Sequence, residues 1–166
     1  MGDNYNESTS LFYPDLSIAP GNENIRVKEF KVLPIIGNEL NVESGLKFKL
    51  IFYNFKPFII LDATFELSTV DDVCVFHTGK VLSPDKDARI GYYQVEFDIS
   101  PYTLNAGRYK MKLIFGENQQ YALWIDDYIL NFEIENTLTG QGFNTRLLPG
   151  VLKPIFDWKC DFYEKY

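Results

Sequence analysis

The chain carries a single histidine and only two cysteines in 166 residues. That scarcity removes several chemistries at once. A Ser-His-Asp triad, a Cys-His dyad or a multi-histidine zinc centre would have to rest on His77 alone. Cys74 and Cys160 are too few for a disulfide framework and fit no metal-ligand spacing. Basic residues are also short: 16 Lys and Arg stand against 23 Asp and Glu, a formal charge of −7. Nucleic acid is therefore not the expected partner, because phosphate binding needs a basic face. No apolar run approaches the roughly 20 residues of a helical bilayer span. The N-terminus has neither the basic nor the apolar region of a secretory signal. Gly79-Lys80 is not a phosphate loop, since Cys74 and Val81 occupy the positions where that loop needs Gly and Ser or Thr. No window of a dozen residues carries an apolar stripe at helical spacing. A chain without cofactor or metal, cytoplasmic and not inserted in a membrane, is the expectation.

What the sequence does have is apolar and aromatic content, 46% hydrophobic and 16% Phe, Trp and Tyr. That content excludes a disordered chain. The length suits one domain and buries about two-thirds of the unfolded surface without a disulfide staple. Residues 1–24 are rich in Asn, Ser, Asp, Glu, Gly and Pro, with one apolar island at Leu11-Phe12-Tyr13-Pro14. They read as a flexible arm or linker, and 25–166 as the folded domain.

From Ile25 onward the period is two. Leu46, Phe48, Leu50 and Phe52 alternate with Lys47, Lys49, Ile51 and Tyr53. Val95, Phe97 and Ile99 repeat the pattern, as do Tyr109, Met111, Leu113 and Phe115, and then Leu130, Phe132 and Ile134. Weaker strand patterns cover 25–33, 63–70, 73–76, 121–124 and 152–158. Turn chemistry separates them, as at Ser83-Pro84-Asp85 and Asn105-Ala106-Gly107. Strict alternation buries one face of each strand and wets the other. Such strands at this spacing predict an all-β, antiparallel two-sheet β-sandwich of immunoglobulin-like type.

Carboxylates are plentiful enough to ask about glycoside hydrolysis. Asp126 and Asp127 are adjacent, so a regular strand points them to opposite faces; Glu133 and Glu135 share a face, as a solvated surface does. Asp71-Asp72 and Asp85-Lys86-Asp87 lack EF-hand spacing and read as solvated turns. A two-carboxylate enzyme and a protein-interaction sandwich both stay open as alternatives. The aromatics say more. Phe48, Phe52, Phe97, Phe115 and Phe132 fall on the inward phase, whereas Tyr53, Tyr92 and Trp124 do not. A ring on a wetted sheet offers a flat surface for a sugar's C–H face, and neighbouring Lys or Glu can bind its hydroxyls. Tyr53, Tyr92 and Trp124 are the expected stacking residues, with Lys49 and Glu66 as hydroxyl partners.

A resemblance supports that reading. "VESGLKFKLIFYNFKP", "FELSTVDDVCVFHTG", "LNAGRYKMKLIF", "YALWIDDYILNFEIEN", "LTGQGFNTRLLPGVL" and "FDW" follow in order. The arrangement resembles the C-terminal polysaccharide-recognition domain of the ATP-binding subunits of bacterial polysaccharide ABC exporters, the Wzt type. The matching positions are Gly107 and Tyr109, Asp126 and Asp127, Phe132 and Ile134, Gly150, and Trp158. The resemblance covers roughly residues 25–160 and departs from the pattern at Tyr121-Ala122-Leu123-Trp124, where relatives are often polar. The nucleotide-binding domain that normally precedes the module is absent from this sequence. The resemblance implies a non-catalytic module that binds an O-antigen-like polysaccharide at the cytoplasmic face of the membrane. Its implied partners are the transporter's nucleotide-binding and permease subunits. It places Trp158 in packing on a last strand, and it implies a homodimer. The loop holding Gly140, Gly142, Pro149 and Gly150 adds to that, since a long connection lets a strand at Val151–Trp158 pair with its own sheet or a partner's.

Overall fold

The computed structural model describes residues 7–136 and 148–164. Eight strands form: β1 (Ser10–Phe12), β2 (Ile25–Pro34), β3 (Leu46–Asn54), β4 (Leu61–Thr69), β5 (Cys74–Val81), β6 (Gly91–Ile99), β7 (Gly107–Glu117) and β8 (Tyr121–Ile134). There is no helix among the described residues. The strands pair as two antiparallel four-stranded sheets, in orders β1-β2-β3-β6 and β5-β4-β7-β8. The expected all-β sandwich is the fold.

The alternation explains why the sheets stack. In β3 the residues Leu46, Phe48, Leu50 and Phe52 are buried, while Lys47, Lys49, Ile51 and Tyr53 stay partly exposed. β4 repeats the pattern with Leu61, Ala63, Phe65 and Leu67 inward. The inner faces meet through aromatic rings. Phe52 packs on Phe115 at 4.4 Å, Phe30 on Phe65 at 5.9 Å and Phe48 on Phe132 at 5.8 Å, each pair joining the two sheets. Burying each such ring stabilises the fold by about 1.5–3 kcal/mol. Buried polar side chains close the ends. Asn54 donates to the carbonyls of Lys56 and Arg89, and Ser83 accepts from the Leu61 amide at 2.7 Å. The Tyr109 hydroxyl, pushed up to about 12 by burial, donates to the Asn105 carbonyl at 2.7 Å.

Three sequence expectations change. The segment expected as a loose arm at 1–24 is bound to the sandwich from Ser8 onward, which bridges Asn131. β1 lies along β2, Ala19 is buried, and Arg26 donates to the Ala19 carbonyl. A three-residue strand held by backbone bonds leaves almost no periodicity to read. The strands at 121–124 and 130–134 are one element, β8, kept continuous by bulges. Finally, Val151–Trp158 is not a strand. Only Leu152 bridges Leu104, and Ile155, Phe156 and Trp158 lie exposed, Trp158 at 86%. Among the described residues Trp158 is therefore not packed on the sandwich; its ring meets that of Phe156 at 6.0 Å. Gly140 and Gly142, the other part of that expectation, lie outside the described residues.

Candidate functional site

The register sets four rows of side chains across the outer face of the β5-β4-β7-β8 sheet. They run Val81–Asp62–Gly116–Ala122, Gly79–Thr64–Ile114–Ile125, His77–Glu66–Lys112 with Asp127, and Ser68–Lys110–Asn131. From Asp62 to Ser68 the face spans about 20 Å of strand. A cavity of about 410 Å³ occupies the first two rows and one of about 320 Å³ the last two.

The second cavity is electrostatically closed. His77 Nδ1 lies 3.0 Å from Glu66 Oε2, and Lys112 pairs with Asp127 at 3.3 Å. Lys110 pairs with Asp72 and sits 4.9 Å over the Tyr128 ring. The hydrogen bond with Asp72 holds the Lys110 ammonium above its ordinary pKa. Bulging β8 opposite Lys112 makes this geometry, with the Asp126 carboxylate accepting from the Tyr128 amide at 2.9 Å. That bulge is also why Asp126 and Asp127 do not follow simple alternation.

The first cavity is different. Its floor is made of small residues, Gly79, Gly116 and Ala122, and its rim of Lys80, Gln119, Gln120 and Tyr121. Both glycines matter for space. A Cβ on Gly116 would lie 2.5 Å from an Asp62 carboxylate oxygen, and one on Gly79 would lie 2.9 Å from the Thr64 hydroxyl. Burial holds the Asp62 carboxyl above the usual carboxylate range. Among the described residues, Asp62 is the charged side chain of β4, β7 and β8 without an ion pair or hydrogen bond. Among the described residues, no side-chain hydrogen bond joins Thr64, Gln119 or Gln120 to another residue either. Sequence reasoning missed Asp62 and Thr64. The strand read from the sequence began at 63 and so left Asp62 out, and the glycines opposite the two residues are adjacent only through strand pairing.

The five expected contact residues do not form one site. Lys49, Tyr53 and Tyr92 stand on the outer face of the other sheet, where Tyr53 and Tyr92 meet edge to face at 4.9 Å. Phe55 lies 4.7 Å from Tyr53, and the Lys28 ammonium lies 4.9 Å over Tyr92. Glu66 is on the face described above, bonded to His77. Trp124 is turned toward the core. A bulge at Leu123 shifts the phase of β8, so Trp124 pairs opposite inward-facing Phe115, 6.3 Å away, and is half-buried. The alternation used to place it outside is inverted by that one extra residue. Among the described residues no group of three or more His, Cys, Asp or Glu converges on a metal-ion position.

Fold and face together define an antiparallel β-sandwich that presents an open, polar, tyrosine-flanked sheet to solvent. Within that class, the structure is similar to the crystal structure of the C-terminal domain of Wzt. The TM-score is 0.60 at 13% sequence identity, over 84% of this chain and 86% of that one. At that identity the likeness is one of fold. No protein-family model matches the chain, and no curated protein sequence matches it.

Proposed function

We propose that the chain is a non-catalytic carbohydrate-recognition domain of a polysaccharide ABC exporter, binding an O-antigen-like glycan on the outer face of the β5-β4-β7-β8 sheet. The fold likeness to the Wzt domain and the sequence resemblance supply the transporter context. The observation that carries the choice of face is its two cavities in line on one sheet, flanked by exposed Tyr121 and Tyr128. Tyrosines on an open sheet stack on sugar rings, while carboxylate, hydroxyl and amide groups take the sugar hydroxyls. The exporter's nucleotide-binding and permease subunits are the partners in this reading, at the cytoplasmic face of the membrane. No helix among the described residues is long and apolar enough to cross a membrane. The domain acts as a homodimer, matching a transporter whose ATPase subunits work in pairs.

Calorimetric titration of the polysaccharide purified from the cell that makes this protein tests the reading. Saturable binding is expected, weakened about fivefold by Tyr121→Ala, the loss of one stacking ring worth about 1 kcal/mol. Tyr92→Ala, on the opposite sheet, is expected to leave affinity unchanged. No heat of binding at millimolar repeat units, or a loss confined to Tyr92→Ala, would overturn it.

A further inference from the structure

Resting on the proposed glycan face, we infer that the cavity over Gly79 and Gly116 is a subsite for one uncharged sugar unit, with Asp62 accepting hydrogen bonds from two adjacent hydroxyls. The starting point is the polar groups that the fold leaves unused. Asp62, Thr64, Gln119 and Gln120 line one cavity, and none has a side-chain hydrogen bond to another described residue. Elsewhere on this sheet the charged groups have partners: Glu66 is hydrogen-bonded to His77, Lys112 pairs with Asp127 and Lys110 with Asp72. A half-buried carboxylate without a partner costs free energy, so its neighbours define what relieves that cost.

The space is specific to a small ring. Gly116 lets the Asp62 carboxylate lie flat over the β7 backbone, with both oxygens within 2.6 Å of where a Cβ would be. Gly79 gives the Thr64 hydroxyl the same freedom toward β5. Neither glycine has a positive φ, so backbone conformation does not require them. Space above the sheet does. An ionised carboxylate only accepts hydrogen bonds, and its two oxygens match two donors on neighbouring carbons of a pyranose. Thr64 donates or accepts, and the two glutamine amides on the β7–β8 turn offer both functions at the rim. Tyr121, 66% exposed beside Ala122, supplies a ring for the sugar's apolar face. A uronic acid or a phosphorylated sugar would set its charge against Asp62 at the floor. Lys80 lines the cavity from edge strand β5 and is exposed to water, where screening weakens any compensation it offers.

The test uses the full chain and simple probes, so it does not depend on the polysaccharide. Backbone amide shifts are followed while D-mannose, D-galactose, D-glucose and D-glucuronate are added separately to about 0.2 M, a range suited to single-sugar affinities. At least one neutral hexose is expected to shift Thr64, Gly79, Gly116 and Tyr121 saturably, and glucuronate is not. Asp62→Asn should weaken that hexose at least tenfold, by removing the charge-assisted acceptor. Gly116→Ala should do the same while keeping the carboxylate, because its Cβ displaces Asp62. The inference is overturned if no neutral hexose shifts these amides, if glucuronate does, or if both variants bind like the parent. Should the polysaccharide still bind and map to this face after such a result, the subsite assignment fails while the glycan-binding reading stands.

Discussion

Asp62 is a residue whose cost to the fold is measurable without any ligand. Its folded pKa is raised by burial above the ordinary 3.8. A group shifted in that direction favours folding fully below its unfolded pKa and loses that contribution as pH rises through the folded value. At neutral pH its ionised form therefore opposes folding. The titratable groups facing it are Lys80 from β5 and Tyr121 from β8, while β7 offers only Gly116 and Ile114. Asp62→Asn is expected to raise the thermal midpoint at pH 7, with the gain shrinking toward zero below about pH 4. Calorimetry of both proteins across pH 3–8 checks this, and a lower midpoint for the variant at pH 7 would show that Asp62 has a stabilising partner. A group that weakens the fold yet lines a cavity fits the general exchange of stability for binding. At this scale the sequence was legible where phase alone decides exposure, as for Tyr53, Tyr92, Lys49 and Glu66. It was not legible for Trp124, which the bulge at Leu123 turns inward. Nor did it show Asp62 facing Gly116, a pairing between residues 54 positions apart in the chain.

At the scale of elements, strict alternation made β3, β6, β7 and the second half of β8 readable, because each buries one face and wets the other. β1 was not readable, since backbone pairing holds its three residues. The C-terminal segment misled for the opposite reason. Val151, Ile155, Phe156 and Trp158 look like core residues, yet the backbone pairing seen among the described residues ends at Lys153. The Asn105 side-chain amide donates to the carbonyls of Leu148 and Gly150, its backbone amide donates to the Val151 carbonyl, and the Lys153 amide donates to the Thr103 carbonyl. After that point Ile155, Phe156, Trp158, Phe162 and Tyr163 are exposed. Apolar side chains in such a run gain most when a second surface covers them. In the proposed homodimer that surface belongs to another copy. Light scattering of the full chain at micromolar concentration should give close to twice 19.3 kDa, and removal of residues 154–166 should return a single-chain mass. A single-chain mass for the full chain would refute the dimer.

At the scale of the whole molecule, the two sheets present two different surfaces. One carries the Tyr53–Tyr92–Phe55 cluster beside Lys28. The other carries the rows from Asp62 to Lys110, with cavities at both ends. Alternation and turn spacing anticipated a sandwich with surface aromatics, but not which face gathers unspent polar groups. That difference follows from strand order, which brings Gly79, Thr64, Ile114 and Ile125 into one row from four separate segments. The proposed function rests on this second face binding a glycan. Amide shift mapping during titration of the purified polysaccharide tests it most directly. Perturbed residues are expected to cluster on the outward positions of β4, β5, β7 and β8, from Asp62 and Tyr121 to Lys110 and Tyr128. Perturbations centred on Arg26, Tyr53 and Tyr92, or none at saturating polymer, would contradict it.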